Sequence, residues 1–526
     1  MRVGSQEVSR RSLLGAGLGA AAGLVLGGCG SGAPASLTLP EHAATGRPRR
    51  GGTMRIARPP ASRAETLDPA SGLSAYEYLG ALYNRIVRIG WGGQVAADLA
   101  ESWESNHDAT TWTFRMRPGV TFHDGRPCTA RDAAYTLQRI LDPKVASPQA
   151  GVLTPLLRKQ DITAADDRTL VCRLRQPNAE FPSLLTAYQC YVVPEGSGAT
   201  VARTGIGTGP FRLVDFKAAG RGRVEAYDDH FGGRPVLDAI DFYSIADQQA
   251  RTNALLAGQV DLLSQTNLDF VTARVVHASD RTTIARVPNG QWYGLPMLTS
   301  KKPFDDPTLR QAMKLAYDPQ RVIDVAIQGT GAVGHDNPVP PNDPYWTDFR
   351  QEHDPGRARR LLARSGHRDF SIDLYTSSYD PVFTPMALAY ADSVKEAGIK
   401  VRVRTVSADS YYSEIWIHKP FCATYWFTGR PIDQLLNQIF RSGSSYNETA
   451  WADKRFDRML DAARAQTDDA KRKVLYQDAQ RYIIEHSGSI TPFFGDRLVG
   501  ISTDVVNYRE EGFEFDYLGI GLRRGA

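Results

Sequence analysis

"DLAESWESNHDATTWTFRMRPGVTFHDGRPCTARDAAYTL", Asp98–Leu137, changes its period partway along. In "TTWTFRMR", Thr110 to Arg117, apolar and polar residues alternate as they do on a strand with one face buried. "PGVTFHDG" then leads out through a proline–glycine turn and an Asp-Gly turn. From Thr129, "TARDAAYTLQRIL" reads as a helix, with Thr129 as N-cap and Asp132 standing in for the glutamate of a capping box. A strand that hands over to a helix within one segment implies mixed α/β architecture.

The same alternation runs through the rest of the chain. "DPTLRQAMKLAYDPQRVIDVAI" puts Leu309, Ala312, Met313 and Ala316 on one helical face. "DPGRARRLLARSG" does the same with Ala358, Leu361 and Leu362 and stops at Gly366. "DKRFDRMLDAARAQTDDAKRKVLYQDAQRYIIEH" reads as two helices around Asp468-Asp469. These stripes are core contacts, not chemistry.

At 526 residues the chain exceeds one ordinary core, so two or more folding units are expected. Apolar residues at 42% and charged residues at 23% describe a soluble globular protein. Net charge is +4, with Arg2, Arg10 and Arg11 opposed by Glu7, and no long basic run follows, which argues against a nucleic-acid partner. No solenoid-length repeat occurs, and no later apolar segment approaches a membrane span.

The N-terminus carries a specific local signal. Ser9-Arg10-Arg11-Ser12-Leu13-Leu14 is a twin-arginine pattern, followed by a Gly/Ala-rich apolar run to Gly28 that suits an export signal. Leu26-Gly27-Gly28-Cys29 resembles a bacterial lipobox, so residues 1–28 are expected to be removed and Cys29 lipidated. Residues 29–47 then form a flexible tether, and the protein is anchored to the membrane without spanning it. Cys128, Cys172, Cys190 and Cys422 have no metal spacing. One disulfide, with Cys172 and Cys190 nearest in sequence, and separate buried thiols both fit.

Catalytic templates fail. There is no His-Glu-x-x-His, no Gly-x-Ser-x-Gly elbow and no phosphate loop ending in Gly-Lys-Ser/Thr. "GIGTGP", Gly205 to Pro210, has the glycines of a dinucleotide loop, but Pro210 and the strand-like "FRLVDF" contradict the helix a pyrophosphate needs. The ten histidines are scattered. No catalytic residue, metal or cofactor is assigned, and an enzyme is not expected. A secreted hydrolase using a paired Asp/Glu remains the second reading.

Taken in order, these segments resemble the signatures of family 5 extracellular solute-binding proteins, the peptide, nickel and opine receptors of ATP-driven (ABC) importers. "ETLDPA" (Glu65 to Ala70), Phe122-His123-Asp124-Gly125, Thr129-Ala130-Arg131-Asp132, "GTGPFRLVDF", "NALLAGQVDLL" and "KKPFDDPTLRQAMKLAYD" carry the likeness. It implies a bilobal type-2 periplasmic-binding-protein fold with an extra subdomain in lobe I (cluster C). Lobe I would comprise residues 48–294 and 491–526, with the extra subdomain at about 82–204, and lobe II residues 295–490. The first crossing strand would be "NGQWYGLPM", and the return near Ile490-Thr491-Pro492. The implied function is capture of a small extracytoplasmic solute, peptide or peptide-like and potentially anionic, for delivery to permease subunits. The expected state is a monomer, lipid-anchored to the cell membrane. A ligand-sensing receptor with the same fold is a further alternative.

The family's peptide-binding members tend to read W-x-x-D where this chain has Trp426-Phe427-Thr428-Gly429, and their aspartate receives the peptide's ammonium group. Here that carboxylate is missing and Arg430 follows. Arg430 either faces the cleft, where its planar fork suits an anion, or pairs with Asp433 or Glu448. Candidate ligand-binding residues are Tyr76, Trp292, Trp426, Arg430 and Asn447.

Overall fold

The computed structural model describes residues 45–60, 64–91, 93–265, 267–350, 352–408, 410–444, 446–511 and 514–523. The twin-arginine pattern, the lipobox with Cys29 and most of the tether lie outside the described residues. No described helix is long and apolar enough to cross a membrane.

The opening segment folds as its periods require. Thr111–Met116 is a strand in a four-stranded antiparallel sheet ordered Ala100–Ser105, Thr111–Met116, Thr169–Arg173, Ile162–Asp166. Ala130–Ile140 is a helix, and Thr129 and Asp132 complete a reciprocal capping box that satisfies two otherwise orphaned N–H groups. Phe114, Phe122, Leu137 and Leu170 fill the core between this sheet and helix.

A larger mixed sheet forms the frame. Its order is Thr424–Phe427, Thr282–Gly294, Phe493–Ser502, Leu262–Leu263, Thr53–Arg58, Ala239–Ser244, Arg221–Ala226 and Phe211–Phe216, with Ala332–Val333 paired at the side. Thr53–Arg58 runs parallel to both neighbours, and the remaining pairs are antiparallel. The strand Thr282–Gly294 passes from one core to others along its length. Ala285 and Val287 belong to the core around Met54 and Phe242. After a register shift between Val287 and Gln291, Trp292 joins a core with Leu436 and Tyr476, and Tyr293 one with Met313 and Phe421. Phe493–Ser502 makes the same passage in reverse, with Phe493 and Phe494 in the latter two cores and Val499 and Ile501 in the first.

The helical stripes are core. Leu309, Ala312 and Met313 are buried on Pro307–Leu315, and Ala358 and Leu362 on Pro355–Arg364. The helix beginning at Pro307 does not continue through "DPQ", because Asp318 caps a new helix, Pro319–Ile327, with proline at its first position. Lys454–Ala465 and Asp469–His486 are separate helices, each capped by an aspartate. The four later cysteines are unpaired buried thiols. Burial pushes the Cys190 thiol up to about 12, which keeps it protonated and unreactive. The "GIGTGP" loop has a packing reason for its glycines. A Cβ at Gly207 would fall 2.0 Å from the Leu82 carbonyl oxygen, and one at Gly209 2.4 Å from that of Ala81.

Candidate functional site

The turn after Thr424–Phe427 follows from its residues. Gly429 takes φ 81°, where a side chain would be strained, and Pro431 then opens the helix Ile432–Ile439. Arg430, held between these two, turns back over its own strand. Its Nη1 donates to the Phe427 carbonyl, and its guanidinium carbon lies 5.4 Å from the Trp426 ring centroid. Burial pulls the Arg430 pKa down to about 10, opposed by the nearby Tyr446 and Tyr76, so the cation persists at neutral pH.

Arg430, Trp426 and Tyr76 line one cavity of about 730 Å³. Tyr76 begins the helix Tyr76–Leu82, and its ring meets that of Tyr188 edge-to-face at 4.7 Å. Facing it across the space, Tyr446 stands edge-on to Trp426 at 6.0 Å. The cavity is therefore collared by aromatic rings from residues 76 and 188 on one wall and 426 and 446 on the other. Among the described residues its charged lining is Arg85, Arg430, Arg441, Arg464 and Glu514, of which Arg85 pairs with Glu514, Arg441 with Asp461 and Arg464 with Asp433. Such a volume and such a mix of aromatic faces with a few fixed polar groups suit a small ligand.

Neither of Arg430's sequence neighbours claims it. Asp433 is fully buried and accepts from Arg464 Nε and Nη2 at 3.1 and 2.8 Å, from Tyr476 at 3.1 Å and from Asn437 at 2.8 Å. Glu448 accepts from Trp416 Nε1 at 2.8 Å and Thr424 Oγ1 at 2.9 Å. The two walls also touch directly. Ala179 N donates to the Arg464 carbonyl at 2.7 Å, and Glu180 meets Arg472 at 2.6 Å and Tyr345 at 3.0 Å.

Two sequence candidates are not lining residues. Trp292 is 0% exposed and stacks behind Trp426 at 6.3 Å and 17°, because position 292 pairs with 426 across the sheet and faces the core. It backs the wall and does not form it. Asn447 is also buried, and its amide donates to the carbonyls of Phe440, Arg441 and Trp451, so it pins the loop that presents Tyr446. The polar-aromatic run "SSYNETAW" pointed to this loop, but the ring, and not the amide, reaches the cavity. Tyr188, Arg85 and Glu514 carry no sequence signal, since Arg85 and Glu514 meet across 429 positions.

Residues 94–447 match the model of the bacterial extracellular solute-binding proteins, family 5. The glutathione-binding protein of Pectobacterium atrosepticum is 25% identical over 400 residues, covering 73% of this chain and 77% of that one. The dipeptide-binding protein of Escherichia coli K12 is 27% identical over 438 residues, covering 76% and 81%. Among solved structures, clavulanic acid biosynthesis oligopeptide binding protein 2 superposes with a TM-score of 0.80 at 22% identity, covering 93% of this chain and all of that one, a likeness of fold. The extent of the family match and the shared bilobal fold make this chain a member of family 5 of the bacterial extracellular solute-binding proteins, a family of binding proteins and not of enzymes.

Proposed function

We propose that the protein captures a small peptide or peptide-like solute bearing an anionic group in the 730 Å³ cavity and delivers it to the permease of an ABC importer. The observation that carries this reading is the meeting of Tyr76 with Trp426 and Arg430 around one space. We take the walls to belong to two lobes, residues 48–294 with 491–526 and residues 295–490, joined where the two long strands pass between cores. Tyr76, Trp426 and Arg430 contact the ligand. With Gly429 where peptide-binding relatives tend to carry aspartate, the guanidinium of Arg430 at the cavity favours recognition of an anion over that of a free ammonium group.

A ligand that binds only the folded form stabilises it by about 2.7 kcal/mol at a hundredfold excess over its Kd. Thermal-shift screening of oligopeptides, N-blocked peptides, opines, sugar acids and metal chelates should find acidic or N-blocked compounds stabilising. Stabilisation only by free-amine, uncharged-terminus compounds overturns the anionic reading, and turnover of a hit revives a hydrolase. In the cell the protein acts as a monomer tethered through lipidated Cys29 after twin-arginine export. Unchanged membrane association and mobility of Cys29→Ala would refute the anchor.

A further inference from the structure

The 730 Å³ cavity has a neighbour. A second space of about 270 Å³ is lined in part by Trp91, His230 and Tyr517, and Arg85 and Glu514 line both spaces. We propose that the Arg85–Glu514 ion pair is the end wall of the ligand cavity. Glu514 sets the length of ligand accepted by standing where a longer ligand's terminal carboxylate would stand. This rests on the peptide-like reading above.

The two partners are held unequally. Arg85 is 2% exposed, and its guanidinium is fixed from two further sides: Nη1 donates to the Thr186 carbonyl at 2.7 Å and the group lies 4.6 Å from the centre of the Tyr191 ring, while its backbone N–H donates to Asp98 Oδ2 at 2.7 Å. Glu514 sits on a two-residue strand, Glu514–Phe515, paired with Glu510–Glu511. Its carboxylate accepts from Arg85 Nη2 and, at 3.4 Å, from the Ile89 N–H. The cation is therefore part of the scaffold, and the anion is held chiefly by the cation.

The pairing is also incomplete. A carboxylate that meets arginine side-on takes both Nε and Nη2. Two other pairs in this molecule do so: Asp261 accepts from Arg55 Nε at 3.0 Å and Nη2 at 2.6 Å, and Asp433 from the same two atoms of Arg464. Among the described residues Glu514 takes only Nη2, and Arg85 Nε is buried with no hydrogen-bond partner. A ligand carboxylate arriving along the cavity could occupy both positions. Buried Arg85 needs one anion beside it, so exchanging Glu514 for that carboxylate conserves charge. Removing the Glu514 side chain would join the two spaces and leave a place shaped for a carboxylate.

The test uses N-acetylated peptides from dipeptide to hexapeptide, each as free acid and as C-terminal amide, offered as a mixture to the full-length protein. Native mass spectrometry after desalting reads which members are retained. Wild type should retain short members. Glu514→Ala, and Glu514→Ser in case the alanine variant folds poorly, should shift retention to longer members and favour free acids over amides of equal length by about tenfold. Glu514→Gln keeps the bulk and should keep the wild-type length profile. A folded alanine or serine variant with the wild-type profile overturns the partition and leaves the peptide-like reading standing. So does a wild type that retains long and short members alike. If wild type retains no member, the peptide-like reading fails and the partition with it.

Discussion

Arg464 and Arg430 line the same cavity and are held in different ways. Arg464 reaches back from Lys454–Ala465 to Asp433, which it grips side-on in a site with the Tyr476 hydroxyl and the Asn437 amide. Arg430 lies over the Trp426 face and donates to its own strand. The first guanidinium closes a buried network in which every carboxylate oxygen has a donor. The second presents a cation beside an aromatic plate at the edge of an open space. What holds a guanidinium depends on which groups the fold brings to it, and spacing in sequence does not decide this.

The sharpest way to break the comparison is to remove the structural anion. Asp433→Ala leaves Arg464 and Tyr476 buried without their acceptor, and losing one partner of a buried pair typically costs about 3–5 kcal/mol. Urea unfolding of the empty protein should show a loss of that size. A change below about 1 kcal/mol would mean that the network is not the keystone of this wall.

A smaller effect, in affinity and not stability, is expected at the other arginine. Arg430→Ala should weaken an anionic ligand found by the screen at least tenfold, or about 1.4 kcal/mol and upward, since a desolvated ligand anion would lose its partner. The melting temperature of the empty protein should barely move. Arg430→Lys should recover only part of the affinity, because a point charge cannot reproduce the fork. Titration calorimetry beside melts of the empty variants reads both. Lower stability with unchanged affinity would put Arg430 in the same class as Arg464.

The contrast also explains how far the sequence could be read. Period and punctuation suffice for local structure, so the strand at Thr111–Met116, the Thr129 capping box and the two aspartate-capped helices near the C-terminus follow from neighbouring residues. Gly429 and Pro431 likewise announce the turn that carries Arg430. Which face of a strand meets the cavity does not follow. Trp292 and Trp426 are directly paired, yet one is sealed inside the core and the other lies partly buried at the edge of that same core. Asn447 and Tyr446 are adjacent, and only the loop's closure by the Asn447 amide determines that the tyrosine points inward. Arg85 with Glu514, and Asp433 with Arg464, are products of tertiary contact that no local pattern encodes.

The smallest expected effect lies behind the cavity wall, at Glu448. The residue is 3% exposed, its carboxylate accepts from Trp416 Nε1 and Thr424 Oγ1, and burial pushes its pKa from 4.5 up to about 7. A folded-state value above the unfolded one means that the folded protein holds this proton more tightly. The stability it contributes is therefore fully present below about pH 4.5 and is lost as pH rises through about 7. Glu448→Gln resembles the protonated acid in shape and in setting an acceptor oxygen beside a donor group, an NH2 with two hydrogens in place of the acid's O–H. The variant should match wild type at pH 4.5 and exceed it at pH 8.5, by on the order of 1 kcal/mol. Asp380 and Asp343 are also pushed up to about 7, so the absolute pH dependence of wild type is shared among several groups, and the difference between variant and wild type isolates Glu448. Urea midpoints across this range measure it. Tryptophan fluorescence offers a local readout, because Trp416 donates to the carboxylate and its ring lies 6.4 Å from that of Trp426. A wild-type transition near pH 7 that disappears in Glu448→Gln would tie the ionisation to the cavity wall, whereas a variant–wild-type stability difference that is flat with pH would show that Glu448 holds no such perturbed proton.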